Sequence, residues 1–252
     1  MQNTKTYTWS GLSITVPEGL EFVLYETFVI GEYDSLKIKP TDVVLDAGAF
    51  VGDFTIKAAK IAREVIAVEP IPWTFQLLKQ NVEQNGLKNV TMVNKALYKQ
   101  SGKVTLLDQG GSYATDNSHV TEGVEVEATT VDELLTSLGI KVDVVKMDVE
   151  GAEAYALKGD YIKGVREIAV ELHGENITEI PPYLESLGFK VSKFTLRQAA
   201  ANAIVNIALH VPSFVKAELK SGLFATKTAF SLIRSRKAAP FTSITSIVYA
   251  TR

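Results

Sequence analysis

From residue 42 onward, short apolar runs that end in acidic or small residues alternate with segments of helical spacing. Asp42-Val43-Val44-Leu45-Asp46 predicts a strand, followed by a glycine turn and a helix from about Phe54 to Arg63. Val65 to Glu69 is the next strand. After Pro70-Ile71-Pro72 a helix runs through Trp73, Leu77, Leu78 and Val82, and Val90 to Val93 is a third strand. Parallel neighbours cannot be joined by a tight turn, so each pair needs a crossover. The pattern therefore predicts an α/β fold, a Rossmann-like, doubly wound, mostly parallel sheet with helices on both faces.

The alternation pauses over Lys103 to Leu107 and Val124 to Thr129, which read as strands of an added ribbon around Gly110-Gly111-Ser112. It then resumes with a helix from Asp132 to Leu138, a buried strand from Val142 to Asp148, and a helix from Ala152 to Lys158 stopped by Gly159. A strand from Ile168 to Leu172, a helix from Ile180 to Leu187 and a strand from Phe189 to Phe194 follow. Residues 1–40 are expected to form a small strand-rich cap, and 41–252 the main domain. Within it, two helical segments, about Gln198 to Val211 and Ser213 to Arg234, form an insertion (198–237) before a last strand from Ile244 to Tyr249.

The chain contains no cysteine, which excludes a disulfide scaffold, a thiolate zinc site and a cysteine nucleophile. Its opening residues lack a basic stretch followed by an apolar run, so no signal peptide is read and a cytoplasmic location is expected. The longest apolar window, Ala199 to Val211, is too short for a membrane span of ~20 residues and is broken by Asn202, Asn206 and His210.

Asp46-Ala47-Gly48-Ala49-Phe50-Val51-Gly52 follows a strand and opens a helix, where open α/β sheets bind nucleotide-like ligands. Gly48 and Gly52 permit a sharp turn and close approach of a ligand to the backbone. Glu69, at the end of the second strand, can accept both hydroxyls of a ribose. A pyrophosphate against this turn would be repelled by Asp46, whereas a ligand carrying an ammonium group would be attracted. The G-x-G-x-x-G spacing of dinucleotide sites is also absent. Both points favour S-adenosylmethionine over a nicotinamide cofactor.

Together with Val68-Glu69-Pro70, Asn81-Val82-Glu83-Gln84-Asn85 and Lys146-Met147-Asp148-Val149-Glu150-Gly151-Ala152-Glu153, this turn resembles the FkbM-type methyltransferase family over roughly residues 40–194. The resemblance implies a class I methyltransferase fold, with seven strands of which the last is antiparallel. It also implies methylation of oxygen, often a sugar or natural-product hydroxyl, using S-adenosylmethionine. Asp46 is then expected beside the methionine amino group, with Gly48, Phe50 and Gly52 shaping the turn and Glu69 holding the ribose. Lys95 and Ala96 resemble the adenine-contacting position. Phe50 departs from the family, which usually has Asn there, so a polar contact near the cofactor's methionine end is missing or replaced by packing.

Lys146, Asp148 and Glu150 alternate, so a strand continuing to Glu150 would point all three to one side. Asp148 ends that strand, where a carboxylate can steady a sulfonium or position an acceptor hydroxyl. Glu150 and His173, both at carboxyl edges of strands, are the candidate bases, and Glu153 is expected to favour the N-terminus of its helix. His119 and His210 are given no catalytic role. Asp148, Glu171 and His173 have no diagnostic metal spacing, so no metal is assigned.

Residues 195–252 carry eight Lys or Arg and one acid, leaving 18 basic and 28 acidic residues before them. The segment 213–234 reads as a basic amphipathic helix suited to packing, an anionic substrate or the surface of a membrane. The insertion is expected to act as a substrate lid or homodimer surface. Nucleic acid is not an expected partner, because the body is acidic and aromatics do not interleave with the basic residues. Beside an O-methyltransferase acting on a small-molecule or glycan hydroxyl stand two alternatives, a non-catalytic S-adenosylmethionine-binding module and a nicotinamide-dependent dehydrogenase.

Overall fold

The computed structural model of the chain describes residues 3–108, 112–115, 123–209 and 246–252. Its centre is a seven-stranded sheet made from β3 (Val43–Ala47), β4 (Glu64–Val68), β5 (Val90–Val93), β10 (Val144–Met147), β11 (Glu167–Glu171), β12 (Lys190–Lys193) and β13 (Ile247–Thr251). The order is β12-β13-β11-β10-β3-β4-β5. β13 runs antiparallel to both β11 and β12, and the other paired strands are parallel. This is the class I methyltransferase arrangement, with its final strand inserted between two earlier ones.

Alternation along the strands divides the core. Val43, Leu45, Ala47, Val145, Met147, Ile168 and Val170 face one layer with α4 (Val131–Leu138), α5 (Glu153–Ala156) and α6 (Asn176–Ser186). Val44, Val144, Ala169 and Tyr249 face the other, with α2 (Asp53–Ala59). α3 (Pro72–Gln84) lies on this second layer too, with Leu78 and Val82 buried. α4 starts with a capping box between Thr130 and Glu133, which satisfies backbone donors that a helix start leaves free.

Only part of the N-terminal region is strand. β1 (Thr4–Trp9) and β2 (Leu12–Pro17) form a hairpin, but Phe22–Leu24 is a helical turn, α1, that continues as a π-helix over Tyr25–Ile30. The mixed apolar residues of Phe22 to Ile30 carry no period that separates strand from helix, and left-handed Gly31 caps the end. The hairpin docks on α3 through two asparagines. Asn81 Oδ1 accepts from Thr15 N at 2.8 Å and Asn85 Oδ1 accepts from Ser13 N at 2.8 Å.

The added ribbon is a four-stranded sheet, β6 (Ala96–Leu97), β7 (Gly102–Asp108), β8 (Ser112–Thr115) and β9 (Val124–Thr129), ordered β6-β9-β7-β8. α7 (Leu196–Leu209) is the first helix of the C-terminal region. Its Asn202 and Asn206 turn to the π-helix, donating to Gly31 O at 3.0 Å and Val29 O at 3.2 Å. Ile204 and Val205 are exposed, so α7 is less enclosed than its composition predicts. His119, His210, the segment 213–234 and the beginning of the predicted last strand lie outside the described residues. Among the described residues no helix is long and apolar enough to cross a membrane.

Candidate active site

The chain leaves β3 toward β4 on one side and reaches β10 on the other, so the crevice at their carboxyl ends is the topological switch point. Gly48 follows β3 and Asp148 follows β10. Asp148 N donates to Ala47 O at 2.9 Å, and Gly48 N donates to Val68 O at 2.9 Å. With φ at +77°, a Cβ on Gly48 would lie 1.7 Å from the carbonyl oxygen of Asp148, so this position requires glycine twice over. A Cβ on Gly52 would instead meet Leu78 Cδ1 at 2.6 Å, which ties that glycine to helix packing.

Asp46 and Lys146 are register neighbours on adjacent strands. Asp46 is 0% exposed. Its Oδ1 lies 3.3 Å from Lys146 Nζ and its Oδ2 accepts from Thr55 Oγ1 at 2.5 Å. Lys146 also donates to Gly48 O at 2.7 Å, pinning the turn from beneath, and lies over the Tyr33 ring. An ammonium of the protein thus already faces Asp46, whose Oδ1 makes no hydrogen bond. Burial pushes the Asp46 carboxyl up, Lys146 and Thr55 pull it down, and the balance stays above the usual value. Burial lowers the Lys146 ammonium, but Asp46, Asp148 and Asp53 outweigh it and hold it above its ordinary range.

Glu69 is buried just past β4. Its Oε1 accepts from Ile71 N at 3.0 Å and Thr74 Oγ1 at 2.7 Å, and its Oε2 accepts from Phe50 N at 2.8 Å. A carboxylate oxygen has two lone-pair sites, so Oε2 retains one for a ligand hydroxyl. Burial raises its pKa against those three donors. Phe50 takes a left-handed φ of +50° and sets its ring edge-on to Trp73. Gly48, Val68, Pro70, Lys95, Ala96, Leu97 and Asp148 line one small cleft open to solvent. Asp148 Oδ1, buried, has no hydrogen-bond partner.

β10 ends at Met147 and the backbone turns left-handed at Glu150 (φ +51°), so Lys146, Asp148 and Glu150 do not share one face as a continued strand would require. Lys146 points to Asp46, whereas Glu150 Oε2 lies 3.4 Å from His173 Nε2. Donor atoms of Asp148, Glu150 and His173 all lie within 4.8 Å of one another. Glu171 Oε1 is 3.9 Å from His173 Nε2. Burial and then Asp148 push Glu150 up to about 7 and Glu171 up to about 8, with His173 opposing in both. Burial lowers His173, but the hydrogen bond to Glu153 and the charges of Asp148 and Glu150 raise it to about 9.

Sequence reasoning missed the role of Glu153. Fully buried, it accepts from Gly151 N at 2.8 Å and Asn176 Nδ2 at 2.5 Å, and its Oε1 lies 2.9 Å from His173 Nδ1. It orients the imidazole rather than simply favouring a helix end. The available signal was a second acid three residues after Glu150, which no spacing rule connects to a histidine 20 residues on. Glu32, also unassigned from sequence, is 4% exposed with Oε2 unpartnered. Burial, followed by Glu26, Glu171 and Asp148, raises its pKa well above the ordinary value.

The chain is 26% identical over 204 residues to Methyltransferase 1 of Beauveria bassiana, covering 69% of this chain and 82% of that protein. It is 30% identical over 154 residues to the hexuronic acid methyltransferase AglP of Haloferax volcanii, covering 57% and 63%. The solved methyltransferase FkbM from Methylobacillus flagellatus KT is similar at 16% identity and a TM-score of 0.48, covering 62% of this chain and 40% of that one. The chain thus spans under two thirds of the last two proteins. The family model described as the methyltransferase FkbM domain matches residues 46–191, from the buried Asp46 through the Asp148–His173 cluster and into β12. With more than half of its length so matched, the chain belongs to the FkbM methyltransferase domain family.

Proposed function

We propose that the chain transfers a methyl group from S-adenosylmethionine to a hydroxyl of a small molecule or glycan. One observation carries this reading: a cleft lined by the glycine turn and a carboxylate–histidine cluster converge on a single sheet edge. Asp148 lines the cleft, and its donor atom lies within 4.8 Å of Glu150 and His173. The residues present suit the cofactor, which would supply an electrophilic methyl on a sulfonium. Lys95, Ala96 and Leu97 would wall the adenine, the remaining site on Glu69 Oε2 would take a ribose hydroxyl, and the orphaned Asp148 Oδ1 is available to an amine or hydroxyl donor.

Methyl transfer to oxygen needs alignment, exclusion of water and somewhere for the proton to go. Glu150 takes the hydroxyl proton, and His173, fixed by Glu153, holds Glu150 in place. The similarity to a protein named for a hexuronic acid supports a sugar acceptor.

Thermal shift with S-adenosylhomocysteine tests the cofactor, because a ligand that binds only the folded state raises its melting point. Labelled methyl transfer to a panel of sugars and uronic acids tests the acceptor. Glu150→Gln should keep cofactor affinity and lose roughly 10²–10⁴-fold in rate. A shift with NAD and none with S-adenosylhomocysteine would overturn the reading.

A further inference from the structure

The geometry points to a divalent cation site of the magnesium–manganese type formed by Asp148, Glu150 and His173. Around an octahedral cation with bonds of about 2.1 Å, adjacent ligand atoms stand about 3 Å apart and opposite ones about 4.2 Å. The 3.4 Å between His173 Nε2 and Glu150 Oε2 is close to an adjacent edge. The mutual limit of 4.8 Å for all three donor atoms leaves only small side-chain rotations to close the set.

Three independent features support a cation here. First, His173 already makes the contact that a metal-bound histidine makes: its Nδ1 lies 2.9 Å from the buried carboxylate of Glu153, which leaves Nε2 to face Glu150. Second, Asp148 Oδ1 is buried without a partner. Third, Glu32, 4% exposed and with Oε2 unpartnered, lies close enough to Asp148 and Glu171 to feel their charges. Four carboxylates, Asp148, Glu150, Glu153 and Glu171, thus crowd one imidazole, while the nearby Lys146 is already paired with Asp46. Burying so much like charge is costly unless it is compensated. Carboxylate oxygens with a single imidazole, in a chain without cysteine, suit a hard divalent ion.

The site's role rests on the methyl-transfer reading. The cation would hold the acceptor oxygen at the cleft edge and acidify its hydroxyl.

The test uses the full chain stripped with EDTA and titrated with Mn²⁺, followed by electron paramagnetic resonance and calorimetry. One Mn²⁺ per chain is expected, competed by Mg²⁺. Glu150→Gln, whose side chain is partly exposed and leaves the core intact, should weaken Mn²⁺ by at least about 10-fold while leaving the S-adenosylhomocysteine thermal shift unchanged. Asp148→Asn and His173→Gln should weaken Mn²⁺ similarly. No stoichiometric Mn²⁺, or affinity unchanged in all three variants, would overturn the site. Methyl transfer that persists in EDTA would sink the metal inference alone, whereas loss of cofactor binding with Mn²⁺ affinity retained would sink the methyl-transfer reading alone.

Discussion

Lys146→Met is the substitution that most directly tests how the glycine turn is held. The ammonium sits between Asp46 Oδ1 at 3.3 Å and Gly48 O at 2.7 Å, and both side chains of the pair are less than a tenth exposed. Methionine matches much of the volume but removes the charge, so Asp46 is left buried with only Thr55 for support. Breaking a buried pair from one side costs about 3–5 kcal/mol. The unpaired Gly48 carbonyl lies in the same network, so its cost overlaps rather than adds. For a chain of this size each kcal/mol moves Tm by roughly 2–4 °C, which gives a fall of roughly 6–20 °C.

The variant should also show a specific pH dependence. Asp46 already titrates above its unfolded value, and removal of Lys146 raises it further. An acid with a raised folded pKa takes up protons on folding, so the folded state gains as pH falls and loses as pH rises. Lys146→Met should therefore regain part of its stability at pH 5 relative to pH 8, measured by urea denaturation with tryptophan fluorescence. The double variant Asp46→Asn with Lys146→Met buries no net charge and should recover to within about 2 kcal/mol of the parent. A single variant that costs less than about 1 kcal/mol, or a double variant as unstable as the sum of its parts, would refute the pairing argument.

Gly48→Ala places a methyl 1.7 Å from the Asp148 carbonyl at a φ that alanine avoids, so it should cost roughly 3 kcal/mol and abolish the thermal shift with S-adenosylhomocysteine. Asp53 is raised to about 6, chiefly by burial with Asp46 adding, against Thr27 and Lys146. Its contribution to stability is present at low pH and lost as pH rises from 3.8 to about 6, by about 3 kcal/mol, so Asp53→Asn should flatten that part of the stability-versus-pH curve. Asn202→Leu removes the donor to Gly31 O at the end of the π-helix and should cost about 1–2 kcal/mol in urea denaturation, without changing cofactor affinity.

The alternation of apolar runs and helical segments was enough to predict the sheet, because parallel strands admit few topologies once each crossover is counted. Strand ends were harder. β10 was expected to reach Asp148 and its alternation to continue to Glu150, but left-handed backbone at Glu150 and Gly151 breaks the period, and no residue short of that turn announces it. Asp46 shows the larger gap. Its place after an apolar run was legible, but its partner lies 100 residues away and becomes adjacent only when β10 docks beside β3. The asparagine stripe on α7 was likewise visible as spacing, while the Val29 and Gly31 carbonyls it satisfies belong to a π-helix that the sequence disguised as a strand-rich cap.

What separates the acids of this edge is how much of each carboxylate the protein has already used. Asp46 has given its charge to Lys146 and a hydrogen bond to Thr55; Glu69 takes three donors and keeps one site; Glu153 is filled by Gly151, Asn176 and His173. All three are 4% exposed or less, and burial at that depth is tolerable because Glu69 and Glu153 have hydrogen bonds on both oxygens, while Asp46, whose Oδ1 makes no hydrogen bond, has the Lys146 charge 3.3 Å away. Asp148 and Glu150 differ: both are partly exposed, Asp148 Oδ1 is unpartnered with no cation paired to it among the described residues, and Glu150 faces the imidazole at 3.4 Å. Acids saturated by the fold hold the turn and the histidine in place, and the unsaturated pair is left for chemistry. By that criterion, neutralising Asp46 or Glu153 should register first in stability, and neutralising Asp148 or Glu150 first in turnover or cation affinity.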